Sequence, residues 1–147
     1  MATVLLRLGH PDTQAAQREE LFRRMVFNIL MDNTDDHERN HSLRLEFDGY
    51  YALSPAYDVV PTLQNLGYQA MSVGTAGTES SLDNALTELS EFGIRAPRAL
   101  ELVREVARAV DGWKAHFARE GISTADLERL EASIDRDALH RQRRAFL

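Results

Sequence analysis

Three oxygen-bearing side chains, Asp35, Asn40 and Asp58, have the types and the order that phosphoryl transfer to a hydroxyl group requires. Asp35 and Asn40 are five positions apart in a polar segment from residue 32 to residue 40, and Asp58 follows eighteen positions later. Such a reaction needs a carboxylate that orients the nucleophile and accepts its proton, and hard oxygen ligands that hold Mg²⁺ against nucleotide phosphates. An Asp and an Asn at this spacing mean little alone, so the surrounding elements decide the interpretation.

Other ligand sites fit the same polar segment less well. An EF-hand loop beginning at Asp32 would place His37 where the motif needs glycine, and Leu43 where it needs glutamate. A zinc pair of His37 and His41 has helical spacing, but it lies in a loop followed by a strand and lacks a third ligand. The segment Gly74–Gly77 is shorter than a phosphate-binding loop and lacks the lysine of such a loop. Its two glycines are typical of a turn. A divalent-cation-binding domain that has no part in phosphoryl transfer is an alternative.

Two elements would position the three side chains. Apolar residues at spacings of three and four predict a helix from Gln14 to Met31, which ends where the polar segment begins. Apolar and polar residues then alternate from His41 to Phe47, which predicts a half-buried strand. Asp48-Gly49 has the composition of a tight turn with positive φ at both residues, and Tyr50 to Leu53 would be the returning strand.

The remainder is predicted to be helical apart from one short strand, Gln69 to Val73. Two helices are expected, Ser81 to Glu91 closed by Gly93, and Pro97 to Glu120. Ser123 and Asp126 resemble a capping box that opens a further helix. A last helix, Asp135 to Leu147, would end in a solvated basic run of Arg141, Arg143 and Arg144. The predicted fold is mainly α, an α+β domain over residues 1–147 with a small β-hairpin near its start.

Composition limits the class of protein. The 147 residues are 44% apolar and 27% charged, which is ordinary for one globular domain. A net charge of −6 argues against a large non-specific nucleic-acid surface, and the lack of cysteine excludes disulfides and cysteine zinc sites. No apolar stretch is long enough to cross a membrane, and Met1 to Arg7 lack the layout of a signal peptide. We therefore expect a cytoplasmic protein without membrane contact.

The order of these features matches that of protein kinases. Kinases carry Asp-x-x-x-x-Asn on a catalytic loop, then a hairpin, then a second metal-binding Asp. Within that group the chain resembles the HipA family of bacterial serine/threonine kinases, most strongly over residues 20–62. The resemblance is carried by the runs Phe27-Asn28-Ile29-Leu30, Asn33-Thr34-Asp35-Asp36-His37 with Asn40, and Leu53-Ser54-Pro55-Ala56-Tyr57-Asp58.

The resemblance implies a role for each matching residue. Asp35 would be the catalytic base, and Asn40 and Asp58 would bind Mg²⁺ and, through it, ATP. His37 matches a loop histidine of the family, which we expect to brace the loop. The fold implied is the helical, kinase-like C-terminal lobe, with the β-hairpin carrying the catalytic and metal-binding loops.

The HipA resemblance also implies a function and partners. The complete two-lobed unit would transfer the ATP γ-phosphate to serine or threonine of a protein target, and aminoacyl-tRNA synthetases are among the family's targets. It would act as the toxin of a toxin–antitoxin pair, with a helix-turn-helix antitoxin of the HipB kind as partner and nucleic acid contacted only through that antitoxin. The alternative is a non-catalytic module, derived from HipA, that binds such an antitoxin.

HipA-like kinases also have an N-terminal lobe with a nucleotide-covering loop and a lysine that contacts the phosphates. About one predicted helix precedes Asp35, and the single lysine, Lys114, lies deep in the helical region. We therefore interpret the chain as the C-terminal lobe without the N-terminal one, as a fragment, a split kinase or a remnant. Alone, it is expected to bind Mg-ATP weakly and to transfer phosphate negligibly.

Overall fold

The computed structural model describes residues 1–147 as a mainly helical α+β fold, as predicted, with about 52% of residues in helices. One 3-10 turn, Glu38–Asn40, precedes the two strands. None of the helices has the length and apolar character that a membrane-crossing segment needs. In chain order the elements are α1 Ala2–Leu8, α2 Gln14–Leu30, β1 Leu43–Leu45, β2 Tyr51–Leu53, α3 Leu82–Ala85, α4 Leu89–Phe92, α5 Ala96–Asp111, α6 Trp113–Arg119, α7 Thr124–Ile134 and α8 Asp137–Arg144.

The core is centred on the packing of α2 against α5. Phe22, Val26 and Ile29 of α2 and Leu102 and Val103 of α5 are all fully buried. Both helices place apolar residues at spacings of three and four, so each buries one stripe and exposes its other side. The stripe predicted for α2 is thereby confirmed, with two of its members, Leu21 and Met25, half-buried. The same cluster includes Leu30, Ala99, Val106, Ala107, Val110 and Trp113.

The predicted hairpin forms, with a shorter first strand and a different turn. Leu45 and Phe47 are exposed, so the half-buried strand expected from His41 to Phe47 was wrong. β1 and β2 are antiparallel, and Leu43 is paired with Leu53. The loop has three residues, because the N–H of Gly49 donates to the carbonyl of Glu46 (3.0 Å) and Glu46 N–H donates to the carbonyl of Tyr50 (2.9 Å). Only Gly49 has a positive φ, +84°, so the expected pair of positive-φ residues was wrong. A type I turn followed by a left-handed glycine is a common alternative to the two-residue hairpin turn.

Local side-chain bonding divides the predicted helix Ser81–Glu91 into α3 and α4. The Ser81 hydroxyl caps α3 by accepting from the N–H of Asn84, and the Thr87 hydroxyl donates to the carbonyl of Asn84 at 2.7 Å. The Thr87 hydroxyl thereby takes up the Asn84 carbonyl, which would otherwise accept a backbone N–H if the helix continued, and this favours the end of α3. Gly93 closes α4 at φ +62°, as the sequence indicated.

Two other predictions for this half of the chain were wrong. The helix expected from Pro97 to Glu120 is broken at Gly112 into α5 and α6, at a residue of low helix propensity. The strand expected from Gln69 to Val73 is irregular backbone, flanked by the isolated bridges Tyr68–Glu79 and Gly74–Gly77.

The C-terminal helices also differ from expectation at one residue. The Ser123 cap is confirmed, since its hydroxyl accepts from the N–H of Asp126 at 3.1 Å. Arg143 was expected to be solvated, but its side chain is only 2% exposed. Its guanidinium donates to the carboxylates of Asp111 (3.2 Å) and Asp135. A buried arginine is tolerated when its donors are paired in this way.

Candidate active site

The polar loop that carries Asp35 is tied directly to the end of α2. Asn33 donates its backbone N–H to the carbonyl of Asn28 (2.9 Å) and its side-chain amide to the Asn28 side-chain oxygen (3.1 Å). Both side chains are buried. Because α2 belongs to the core, this double tether gives the loop a rigid starting point.

Asp35 and Asn40 are joined within the loop. The N–H of His37 donates to the Asp35 carbonyl at 3.0 Å, and the N–H of Asn40 donates to the His37 carbonyl at 2.9 Å. The Asn40 side-chain Nδ2 also donates to the Asp35 carbonyl, at 3.1 Å. Asn40 is only 8% exposed, whereas the Asp35 side chain is exposed to solvent. The backbone of Asp35 is thus held while its carboxylate faces outward.

The segment with Asp58 runs back along this loop. At the base of the hairpin, Ser54 N–H donates to the Ser42 carbonyl at 3.0 Å. Further along, the Tyr57 hydroxyl donates to the Arg39 carbonyl at 2.8 Å, so the neighbours of Asp58 and of Asn40 are bonded to each other.

Beyond Asp58 the two segments stay together. Thr62 donates both its N–H (3.0 Å) and its hydroxyl (2.9 Å) to the carbonyl of Asp32, and its hydroxyl lies 2.6 Å from that of Thr34. Asp58 therefore lies on a segment that is attached to the Asp35 loop on both sides.

Asp58 itself has an unusual backbone conformation. Its φ is +54°, in the left-handed region that only glycine adopts without cost and that Asp and Asn tolerate better than other residues. Such conformations cluster at functional sites, where the surrounding structure enforces them. The side chain is exposed and makes no hydrogen bond or ion pair, so it does not point into the core.

The donor set fits a magnesium ion that keeps waters and phosphates as additional ligands. The carboxylates of Asp35 and Asp58 and the Oδ1 of Asn40 are not used by any hydrogen bond within the chain, and all are hard oxygens. The bond from Asn40 Nδ2 to Asp35 directs the opposite atom of the amide, Oδ1, away from that carbonyl. No group of three or more His, Asp or Glu side chains is arranged to hold a metal ion. A magnesium ion would therefore take further ligands from water and phosphate.

A buried pair beside the loop was missed by the sequence analysis. His41 Nε2 lies 2.8 Å from Asp36 Oδ1, and the two side chains are 9% and 10% exposed. Both line a cavity of about 360 Å³ whose lining includes none of the three candidate residues. His37, which was expected to brace the loop, contributes through its backbone, and its Nδ1 is buried without a partner. The side chain that pairs with the loop is that of His41, and only its place directly after the polar segment could have indicated it.

Comparison with known proteins identifies the family of the chain. The chain is 29% identical over 129 residues to a Sinorhizobium fredii protein named "Putative kinase Y4dM", covering 86% of this chain and 32% of that protein. It is 38% identical over 53 residues to a Haemophilus influenzae protein named "Putative kinase", covering 36% of this chain and 16% of the relative. The chain thus spans about a third or less of the length of these relatives. The HipA-like C-terminal domain family matches residues 1–113, and the chain belongs to this family.

Proposed function

We propose that this chain is the catalytic-loop lobe of a HipA-like protein kinase that transfers the γ-phosphate of ATP to serine or threonine of a protein. The observation that carries the proposal is the pairing of two segments, joined by the bond from Tyr57 to Arg39, that present the free oxygens of Asp35, Asn40 and Asp58. Family membership and relatives named as kinases support the same reaction class.

In this proposal Asp35 acts on the substrate hydroxyl. Its exposed carboxylate accepts the hydrogen bond of the serine or threonine O–H and takes the proton as the oxygen attacks the γ-phosphorus. The bond from the γ-phosphorus to its bridging oxygen breaks, and ADP leaves. The bond to the Asp35 carbonyl holds the backbone from which the carboxylate projects, and this matters because a displaced base loses much of the benefit of proximity.

Asn40 and Asp58 would hold the magnesium ion of Mg-ATP. The ion, when bound, neutralises charge on the nucleotide phosphates. Asn40 precedes β1 and Asp58 follows β2, and the antiparallel pairing of these strands brings the two positions to the same end of the hairpin. This chain would thus contribute an amide oxygen and a carboxylate to the ion.

The biological setting belongs to the same proposal. The protein would act in the cytoplasm as the toxin of a toxin–antitoxin pair, with an aminoacyl-tRNA synthetase as a candidate target class. A helix-turn-helix antitoxin of the HipB kind would be its regulatory partner and would make the contacts with nucleic acid.

Phosphoryl transfer in the complete kinase, in which this lobe is joined by a nucleotide-binding lobe, tests the proposal. With γ-labelled ATP and Mg²⁺, we expect label on serine or threonine of a protein acceptor, and loss of transfer when Mg²⁺ is chelated. Phosphopeptide mass spectrometry identifies the modified residue. Absence of magnesium-dependent transfer from a folded, nucleotide-bound preparation would refute the catalytic role.

The alternative is a non-catalytic module that binds the antitoxin. In this lobe the single lysine, Lys114, pairs with Glu131 between α6 and α7 at 2.6 Å, so the phosphate-contacting lysine of the proposed kinase would come from the nucleotide-binding lobe. An isolated chain that binds a helix-turn-helix antitoxin tightly, while neither it nor the complete protein transfers phosphate, would support that alternative.

A further inference from the structure

A buried carboxylate lies three residues before Asp35 and is bonded to the other end of the chain. The Asp32 side chain is fully buried. Its Oδ1 accepts from Arg136 Nη1 at 2.6 Å, and its Oδ2 accepts from the Ser133 hydroxyl at 2.6 Å. Arg136 is the cap residue of α8, and Ser133 lies in the last turn of α7, so the corner between these helices meets the loop here.

A third segment joins the same cluster. Asn65 Oδ1 accepts from Arg136 Nη1 at 2.6 Å, and Asn65 N–H donates to Asp32 Oδ2 at 3.4 Å. Asn65 lies seven residues after Asp58. One arginine therefore contacts both the segment that leads into Asp35 and the segment that follows Asp58.

The backbone at this cluster is constrained as well. Asp32 and Asn65 have φ values of +56° and +54°, and both residue types tolerate the left-handed region through their short polar side chains. A buried carboxylate without a partner is strongly unfavourable, so the loop conformation that buries Asp32 depends on the donors of Arg136 and Ser133. The backbone carbonyl of Asp32 is bonded to Thr62, so a shift of Asp32 would also move the segment with Asp58.

We propose that Asp32 and Arg136 are positioning residues, through which the α7–α8 corner sets the relative placement of the Asp35 loop and the Asp58 segment. This inference rests on the proposed function, since it assigns these residues an effect on phosphoryl transfer. Arg136 lies outside residues 1–113, where the family matches, so this chain places a control point for the site in its C-terminal helices. Neither residue contacts substrate or metal in this role.

Matched variants in the complete kinase separate positioning from simple stability. Asp32→Asn removes one charge and keeps the shape of the side chain, and Arg136→Gln replaces the guanidinium by a shorter, neutral amide. Arg18→Gln is the control, because Arg18 is a half-buried arginine of α2 whose guanidinium donates to the Phe92 carbonyl of α4 at 2.9 Å, and it has no bond to the Asp35 loop, the Asp58 segment or the α7–α8 corner. All three are expected to lower the thermal midpoint, and all are assayed below it.

We expect Asp32→Asn and Arg136→Gln to lower kcat by about tenfold or more with little change in the KM for ATP, because small displacements of reacting groups are costly. Arg18→Gln should keep kcat within about twofold of the wild type. The double variant Asp32→Asn with Arg136→Gln should recover part of the loss from Arg136→Gln, because no buried charge is left unpaired. Arg136→Gln with a wild-type kcat, or Arg18→Gln with an equal loss, would overturn the inference.

A second measurement decides the case in which the wild type transfers no phosphate. In ¹⁵N NMR spectra of the same protein, Arg136→Gln should shift the amides of Asp35, Asn40 and Asp58, whereas Arg18→Gln should leave them unchanged. If the amides shift but the wild type transfers no phosphate, the proposed function is refuted, while the positional link between Arg136 and the two segments is retained. Unchanged amides would refute the positioning role itself.

Discussion

At the scale of single residues, Asn40 shows how one side chain can serve two purposes. Its Nδ2 holds the Asp35 carbonyl at 3.1 Å, and this bond leaves Oδ1 free for a cation. A carboxylate at position 40 could supply an oxygen but no N–H donor, so it would lose the brace on Asp35. The combination of donor and acceptor explains why an amide suits this position beside Asp35.

The assignment of Asp35 leads to a residue-scale prediction. Asp35→Asn in the complete kinase should reduce phosphoryl transfer to background while leaving the thermal midpoint unchanged, because the amide keeps the shape of the carboxylate but cannot accept the proton. Labelled-ATP transfer and thermal denaturation measure the two effects. Asp12→Asn, at an exposed position between α1 and α2, is the control and should be active. Wild-type transfer by Asp35→Asn would remove Asp35 from the mechanism.

At the scale of secondary-structure elements, a helix cap and an ion-pair network stabilise the helices. Ser123 caps α7 through the N–H of Asp126, and its hydroxyl also donates to the Asp126 carboxylate at 2.7 Å. α2 and α5 are joined by an ion-pair network in which Arg98 contacts Glu19 at 2.8 Å and Arg23 contacts Glu105 at 3.0 Å. These contacts surround the apolar stripe that the two helices share.

Removal of the α7 cap should destabilise the chain measurably. Ser123→Ala leaves an N–H at the start of α7 without its acceptor, and we expect a loss of about 1 kcal/mol in the free energy of unfolding. Urea denaturation followed by circular dichroism measures it. Ser90→Ala, at an exposed position in the short α4, should change stability much less. Equal losses of unfolding free energy in Ser123→Ala and Ser90→Ala would show that the Ser123 cap does not stabilise α7.

The ion pair between α2 and α5 predicts a pH dependence. Hydrogen bonds from Arg98 hold the pKa of Glu19 below its ordinary value of 4.5, because they favour the charged carboxylate. The folded state therefore holds this proton less tightly than the unfolded state does. The stabilisation is complete above the unfolded pKa and is lost as the pH falls through the lower, folded pKa.

Glu19→Gln tests that dependence. The stability difference between wild type and variant should be largest near neutral pH and should shrink below about pH 4. Urea midpoints from pH 7 to pH 3 follow it. The control is Glu120→Gln, because Glu120 is exposed and has no ion pair, so its difference should be small at every pH. A Glu19→Gln difference that grows on acidification would contradict the sign of the pKa shift.

At the scale of the whole molecule, α2 connects the core to the candidate site. Its Phe22, Val26 and Ile29 are fully buried, and its last turn, through Asn28, holds the loop that carries Asp35. The core is therefore also the support of the site. A change that loosens the packing of α5 on α2 should affect both the stability of the chain and the order of that loop.

Leu102→Ala tests this role of the core. Leu102 is fully buried in α5, and truncation should cost about 2–5 kcal/mol of unfolding free energy, since a cavity adds to the lost burial. Urea denaturation measures the loss. Leu6→Ala, at a position in α1 that is 50% exposed, should cost far less. Similar costs at the two positions would mean that the α2–α5 interface is not the principal core.

Features that depend on neighbouring residues could be predicted from the sequence alone. The α2 stripe, the antiparallel hairpin predicted over residues 41–53 and the Ser123 cap all follow from patterns within a few positions. All three form, although the burial predicted for the first strand was wrong. The spacing of Asp35, Asn40 and Asp58 likewise nominated the site before any geometry was known, and their chemical roles stay predictions. The breaks at Thr87 and at Gly112 were missed, because helical periodicity continues across them.

Only the tertiary structure decided the long-range polar contacts. Arg143 has the same residue type as its exposed neighbours Arg141 and Arg144, and no local pattern distinguishes the one that is buried with Asp111. Asp32 and Arg136 are 104 positions apart, and each alone resembles an ordinary surface charge. An ion pair of this kind is specified by the packing of α7 and α8 against the loop, because burial makes each charge dependent on the other.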